Sequence, residues 1–211
     1  MNHWAARGAF IGICLSVYVS LGMAADWRPL VHKLNNLVTF PPCVKTNSAG
    51  EVFSVRLSGQ EATAENLNVV QEIHSLKELA VNCPRDNAIK FEALTNVMHK
   101  LKLEKLRLTF ISGDFDVWAN VAVEMTALTE LTLCWIDITP AMTNLAKIKT
   151  LRSLSLKECH NLNLSDVEKL LAHSQIAELT VSASSPTATA QQIAALRSVA
   201  KERKVRLRYQ D

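Results

Sequence analysis

The sequence predicts an α/β solenoid: short parallel strands form one layer, and the helices connecting them form a second. Three observations predict it. First, the pattern apolar-x-x-apolar-x-apolar recurs as "VFSVRL" from Val52, "LKELAV" from Leu76, "LEKLRL" from Leu103, "LTELTL" from Leu128, "LRSLSL" from Leu151 and "IAELTV" from Ile176. Self-similarity at a period of about 20–50 residues marks stacked repeats. Second, between these stretches the apolar spacing changes from every second residue to about every 3.6, the helical period. Third, helix-start signals stand at the changeover. Thr139 precedes Pro140, and Ser165 with Glu168 and Thr189 with Gln192 have the spacing of a capping box.

The chain begins differently. "MNHWAARG" carries Arg7 and no acid, residues 9–23 are an unbroken apolar run, and "GMA" sets Gly22 and Ala24 where a signal peptidase reads small residues. That order predicts a secretory signal over residues 1–24, cleavage after Ala24, and a secreted or periplasmic protein. The apolar run is shorter than the ~20 residues of a spanning helix, so no membrane span is expected after cleavage. Cleavage removes one charge, Arg7, from the formal +3 and leaves +2. So balanced a chain does not point to nucleic acid.

Residues 25–51 read as an N-terminal cap. "WRPLVHKLNNL" puts Leu30, Leu34 and Leu37 on one helical face, and "CVKTNSAGEVFSVRL" reads as two strands about a turn. A strand over residues 43–45 would cover the edge of residues 52–57, which is otherwise open to pairing.

Residues 52–211 form the repeats. Each unit is a strand, a loop and a helix, and no unit can bury both apolar faces alone. The helical stripes are Leu67, Val70 and Ile73; Phe91, Leu94, Val97 and Leu101; Met142, Leu145 and Ile148; Val167, Leu170 and Leu171; and Ile193, Leu196 and Val199. A partial last strand, "KVRLRY", places Val205 and Leu207 inward and sets Lys204, Arg206 and Arg208 beside Glu178, Thr180 and Ser182.

These residues resemble the leucine-rich repeat family over about residues 52–209. "LRSLSLKECHNLNLSDVEKLL" is most similar to the cysteine-containing subclass, with Cys159 where many repeats carry Asn or Cys; Pro84, Ile111, Ile136 and Ser184 depart from it. The resemblance implies a right-handed arc with the parallel sheet on the concave side and helices on the convex side. It also implies a non-enzymatic role in protein–protein interaction. The whole chain looks like small exported bacterial proteins of this family. A cytosolic ubiquitin-ligase adaptor, the common setting of the subclass, is the alternative; no F-box precedes the repeats.

The residues between the apolar positions face away from the helices. Glu78, Lys105 and Glu130 fall in one cross-strand row, close enough to pair, and Arg107 stands in the next. Lys105, Arg107 and Glu130 are therefore candidate partner contacts, although no aromatic residue shares those rows. Aromatic residues gather where the third and fourth repeat strands end. "FISGDFDVW" supplies Phe110, Phe115 and Trp118, and "CWIDI" supplies Trp135. Phe110 and Trp135 share one repeat position and should be neighbours. Two readings stay open for these four: an exposed contact patch, or rings that seal the core under a longer loop.

Catalytic signals are lacking. His32, His74, His99, His160 and His173 are spread over separate units, no His and Cys spacing suits zinc, and no glycine-rich phosphate loop is present. No cofactor is expected. Four cysteines follow the signal: Cys43, Cys83, Cys134 and Cys159. An even number in an exported chain invites disulfides, yet a domain of this size does not need them. Cys134 is the one thiol with a chemical case, because it stands one strand from Lys157 and a nearby cation favours thiolate.

Overall fold

The computed structural model describes residues 43–87, 89–182 and 188–210. The expected signal, the helix expected over residues 27–37 and Ser184 lie outside the described residues. Eight strands form one open sheet in chain order: β1 (Cys43–Thr46), β2 (Val52–Ser58), β3 (Glu78–Asn82), β4 (Lys105–Thr109), β5 (Glu130–Cys134), β6 (Ser153–Lys157), β7 (Glu178–Ser182) and β8 (Arg206–Gln210). β1 pairs antiparallel with β2, and every later pairing is parallel. The β1–β2 turn is held by Asn47, whose side-chain oxygen accepts from the amides of Ala49 and Glu51 at 3.0 Å. Gly50 there has φ 80°, a conformation that costs a glycine little.

Five α-helices connect the strands: α1 (Ala64–Val70), α2 (Phe91–Lys100), α3 (Phe115–Ala122), α4 (Leu164–His173) and α5 (Ala190–Glu202). The β5–β6 connection is a 3-10 helix, Pro140–Lys147, where the stripe predicts ordinary helical spacing. Met142 and Leu145 still reach the core, so the tighter coil keeps the same buried face. Neighbouring connections pack side by side as a second layer on the sheet.

The core is a set of ladders running across the sheet. Val55, Leu79, Leu106, Leu131, Leu154 and Leu179 stand in register and are buried; so are Leu57, Val81, Leu108, Leu133, Leu156 and Val181. Side chains alternate along a strand, so these two rows share the helix-facing side and the intervening residues face the other way. The first leucines of the units, Leu76, Leu103, Leu128 and Leu151, close the layer as each helix returns.

Three local expectations are corrected. The cap of α4 is Asn163, whose side chain accepts from the Ser165 amide at 2.9 Å; Ser165 and Glu168 form no capping box. Asx and Ser side chains compete for this role, and here the one two residues earlier takes it. At α5 the Thr189–Gln192 box is present as expected. The last strand is shifted by two residues: Arg206, Arg208 and Gln210 stand beside Glu178, Thr180 and Ser182, so Leu207 and Tyr209 extend the apolar ladders. A slip of two preserves which face each side chain takes. Finally, α3 arises where only a loop was expected, on a stretch whose Phe115, Trp118, Ala119 and Ala122 all point inward.

A candidate partner-binding edge

The candidate site is built by one backbone device repeated at strand ends. Phe110, Trp135 and Glu158 are the first residues after β4, β5 and β6, and their φ angles are 54°, 53° and 50°. Left-handed backbone costs a side-chain-bearing residue about 1–2 kcal/mol. Each nonetheless keeps the ladder: the amides of Phe110, Trp135 and Glu158 donate to the carbonyls of Cys134, Lys157 and Ser182 at 3.1, 3.0 and 2.8 Å. The kink sends the next residues, Ile111, Ile136 and Cys159, into the core. It leaves Phe110 and Trp135 half-buried at the rim, stacked with centroids 5.6 Å apart and planes 20° from parallel.

The β3 unit departs from this device, and the departure supplies the site's cation. Its corresponding residue is Cys83, which precedes Pro84. A proline biases the residue before it toward extended backbone. Cys83 turns inward instead, where its sulfur accepts from the Ile89 amide at 3.4 Å. The chain then makes a 3-10 turn, Arg85–Asn87, and the Arg85 guanidinium carbon lies 5.3 Å from the Phe110 centroid and 4.9 Å from that of Trp135. Among the described residues the Arg85 N–H groups meet no acceptor. His160 closes the far side, its ring 6.0 Å from Trp135. Asp137 stands nearby, but its carboxylate already accepts from Asn161 Nδ2 at 2.6 Å.

Arg85, Phe110, Gly113, Trp135, Asp137 and His160 line a groove of about 500 Å³. Gly113 is required there: its φ is 98°, and a Cβ would meet Glu92 Oε2 at 3.0 Å. The residue after it, Asp114, caps α3 by accepting from the amides of Asp116 and Val117.

The other two expected aromatics belong to the core. Phe115 is buried and Trp118 is 0% exposed; both pack on Phe91, at 5.8 and 5.3 Å between centroids. Trp118 Nε1 donates to the Met98 sulfur at 3.0 Å. A helix turns these two rings inward, whereas the left-handed kink turns the other two outward. The four aromatics thus divide between the two readings open to them.

The candidate charges lie on the open face of the sheet. Lys105 Nζ reaches Glu130 at 3.1 Å and Glu78 at 3.5 Å, and hydrogen bonding and attraction from Glu130 push its pKa up. Arg206 pairs with Glu178 at 2.9 Å. Arg107 is exposed in the next row. These exposed pairs are each worth little in stability, and Arg56, Arg107, Lys157 and Arg208 on the same face are exposed outside any ion pair among the described residues.

Cys134 is a buried, free thiol. It stands beside Lys157 in register, yet is only 5% exposed. Cys83, Cys134 and Cys159 are all buried and free of disulfides. Burial pushes the Cys159 thiol up to about 12, far from nucleophilic use. A second hollow, of about 210 Å³, opens beside the exposed His99–Glu124 pair at the ends of α2 and α3. Among the described residues no group of His, Cys, Asp and Glu could hold a metal ion, and no helix is long and apolar enough to cross a membrane. Compared with models of known protein families and with curated proteins, the chain matches none.

Proposed function

We propose that this chain is an exported, non-enzymatic leucine-rich repeat protein that binds another protein through the edge carrying Phe110 and Trp135. The family reading rests on the repeated apolar-x-x-apolar-x-apolar strand, the helical return in each unit and the parallel ladders of leucine. On that reading the connections wind right-handed, and the sheet is the concave side of a short arc.

The observation that carries the binding site is the stacked pair itself. Two large rings occupy costly backbone positions and stay only half-buried. Strained residues held at a surface are a mark of sites where geometry serves recognition. Aromatic side chains also offer large contact area with few rotatable bonds. The open face has no comparable aromatic pair; its charges either pair within the protein, as Lys105 and Arg206 do, or stand singly, as Arg56, Arg107, Lys157 and Arg208 do among the described residues.

Photo-crosslinking in the native cell tests this. A benzophenone side chain at Trp135 should yield a discrete protein adduct, and the same group at Thr132 on the open face should not. Adducts from Thr132 alone would overturn the proposal. Export is tested separately: sequencing of the native protein should begin at Ala25, and an intact Met1 in the cytosol would instead support the adaptor reading.

A further inference from the structure

We infer that the edge recognises an acidic side chain set beside an apolar one: a partner segment whose Asp or Glu docks on Arg85 while its neighbour packs on Trp135. The inference deepens the proposed contact site and rests on it. Its basis is the state of the charges around the groove. The Arg85 guanidinium is held over two rings, yet its N–H donors find no acceptor among the described residues. The carboxylate among the groove's lining residues, Asp137, accepts a hydrogen bond from Asn161 and makes no ion pair with Arg85. On the open face Lys105 and Arg206 already have carboxylates, whereas Arg56, Arg107, Lys157 and Arg208 are exposed in no ion pair among the described residues; what sets Arg85 apart is its place over two rings. Arg85 is thus a cation with aromatic support and an unfilled anion position.

The arrangement favours a carboxylate for two physical reasons. A guanidinium binds carboxylate through two parallel N–H bonds made in its plane. Contact with the two rings also restrains a long side chain in advance, which lowers the entropy lost when a ligand docks. The ring beside it then sets the second requirement. Trp135 is half-buried at the mouth of the groove, next to His160, so an apolar or aromatic residue adjacent to the acid can cover the part of the ring that remains accessible. Acidic peptide segments are the source we commit to; a phosphorylated segment is an outcome that the test separates.

A displayed library of random short peptides, selected on the full chain, tests this directly. Recovered peptides should carry Asp or Glu beside Phe, Tyr, Leu or Ile. Synthetic copies with that acid changed to its amide should bind about tenfold more weakly or worse. Arg85→Gln should cause the same loss and make the protein indifferent to the acid-to-amide change. Trp135→Ala should weaken acid and amide peptides alike. Unfolding midpoints of both variants serve as controls, with Trp135→Gly as the replacement if the alanine variant is poorly folded. Peptides that need Trp135 but neither an acid nor Arg85 would overturn this inference and leave the contact site standing. Peptides indifferent to both substitutions would overturn both. Failure to recover any peptide, or binding only after phosphorylation of Ser or Tyr in the peptide, would overturn the acidic-segment inference.

Discussion

Phe110 and Trp135, one repeat apart in the chain, stack at 5.6 Å from two matched left-handed backbone positions. The match matters more than the contact. Each ring is placed by the same kink after its strand, so the pair is a product of the repeat and not of an isolated loop. The strain has a measurable consequence. Trp135→Ala and Trp135→Gly both remove the ring, but only glycine accepts φ near 53° at low cost. The glycine variant should therefore be the more stable of the two by about 1 kcal/mol in urea unfolding. At an ordinary extended position the order would reverse, so an alanine variant of equal or higher stability would show that the kink is relaxed in solution.

The ladders yield a sharper contrast. Leu154 is 1% exposed and stands between Leu131 and Leu179 in register. Truncation to alanine removes packing on both sides, and Leu154→Ala should cost about 2–5 kcal/mol. Its neighbour Ser155 faces the opposite side, and its buried hydroxyl has no hydrogen-bond partner among the described residues. Ser155→Ala deletes an unsatisfied group and should be neutral or slightly stabilising. Urea midpoints of the two variants, adjacent in sequence and opposite in effect, check the alternation. Similar losses at both positions would show that the strand is out of register.

Cys159 links burial to pH. Its thiol is pushed from 9.0 up to about 12, chiefly by burial. Below pH 9 the thiol is neutral in both folded and unfolded chains, so it adds no pH dependence. Above pH 9 the unfolded chain ionises first, and stability falls until the folded thiol also ionises near 12. Each such group steepens the alkaline loss by at most about 1.4 kcal/mol per pH unit. Cys159→Ala should flatten the fall in stability between pH 9 and 11 by about that slope, whatever its cost at neutral pH. Alkylation provides an independent reading: at pH 8 the folded protein should leave Cys159 unmodified, and unfolded protein should react fully.

How much of this was legible in the sequence depends on whether a residue obeys the repeat. The two inner leucine rows and the pairing of Lys105 with Glu78 and Glu130 follow from a period of two at a fixed repeat spacing, and both are present. The adjacency of Phe110 and Trp135 follows for the same reason. What broke the repeat was not legible. The last unit lacks an apolar first residue, so its register had no anchor, and β8 settles where Leu207 and Tyr209 extend the ladders. α3 was obscured by its own aromatics: Phe115, Trp118, Ala119 and Ala122 have helical spacing, but two rings near Phe110 suggested a surface patch. Arg85 was missed because its place depends on the 3-10 turn that follows Pro84, and nothing in the repeat pattern fixes where that turn aims its side chains. Left-handed Phe and Trp have no local signature, since neither residue favours that region.

The end of α5 offers a test of the same backbone physics away from the candidate site. The amide of Val205 donates to the Ala200 carbonyl at 2.8 Å, and that of Lys204 donates to Lys201 at 3.1 Å. This pair of bonds is the Schellman helix ending, in which the residue after the cap takes left-handed backbone and is usually glycine. Here it is Lys204, with φ 57° and an exposed side chain. The ending aims Val205 back toward the core and starts β8 in its observed register. Lysine thus carries the cost of the left-handed position with no ion pair among the described residues to offset it. Glycine would remove that cost at the expense of some unfolded-state entropy. Lys204→Gly should therefore raise stability by about 1 kcal/mol, visible as a higher urea midpoint with unchanged slope. Lys204→Ala should not raise it, because alanine keeps the Cβ clash. A loss of stability in the glycine variant would mean that the helix ends differently and that the register of β8 beside Glu178 is set by some other contact.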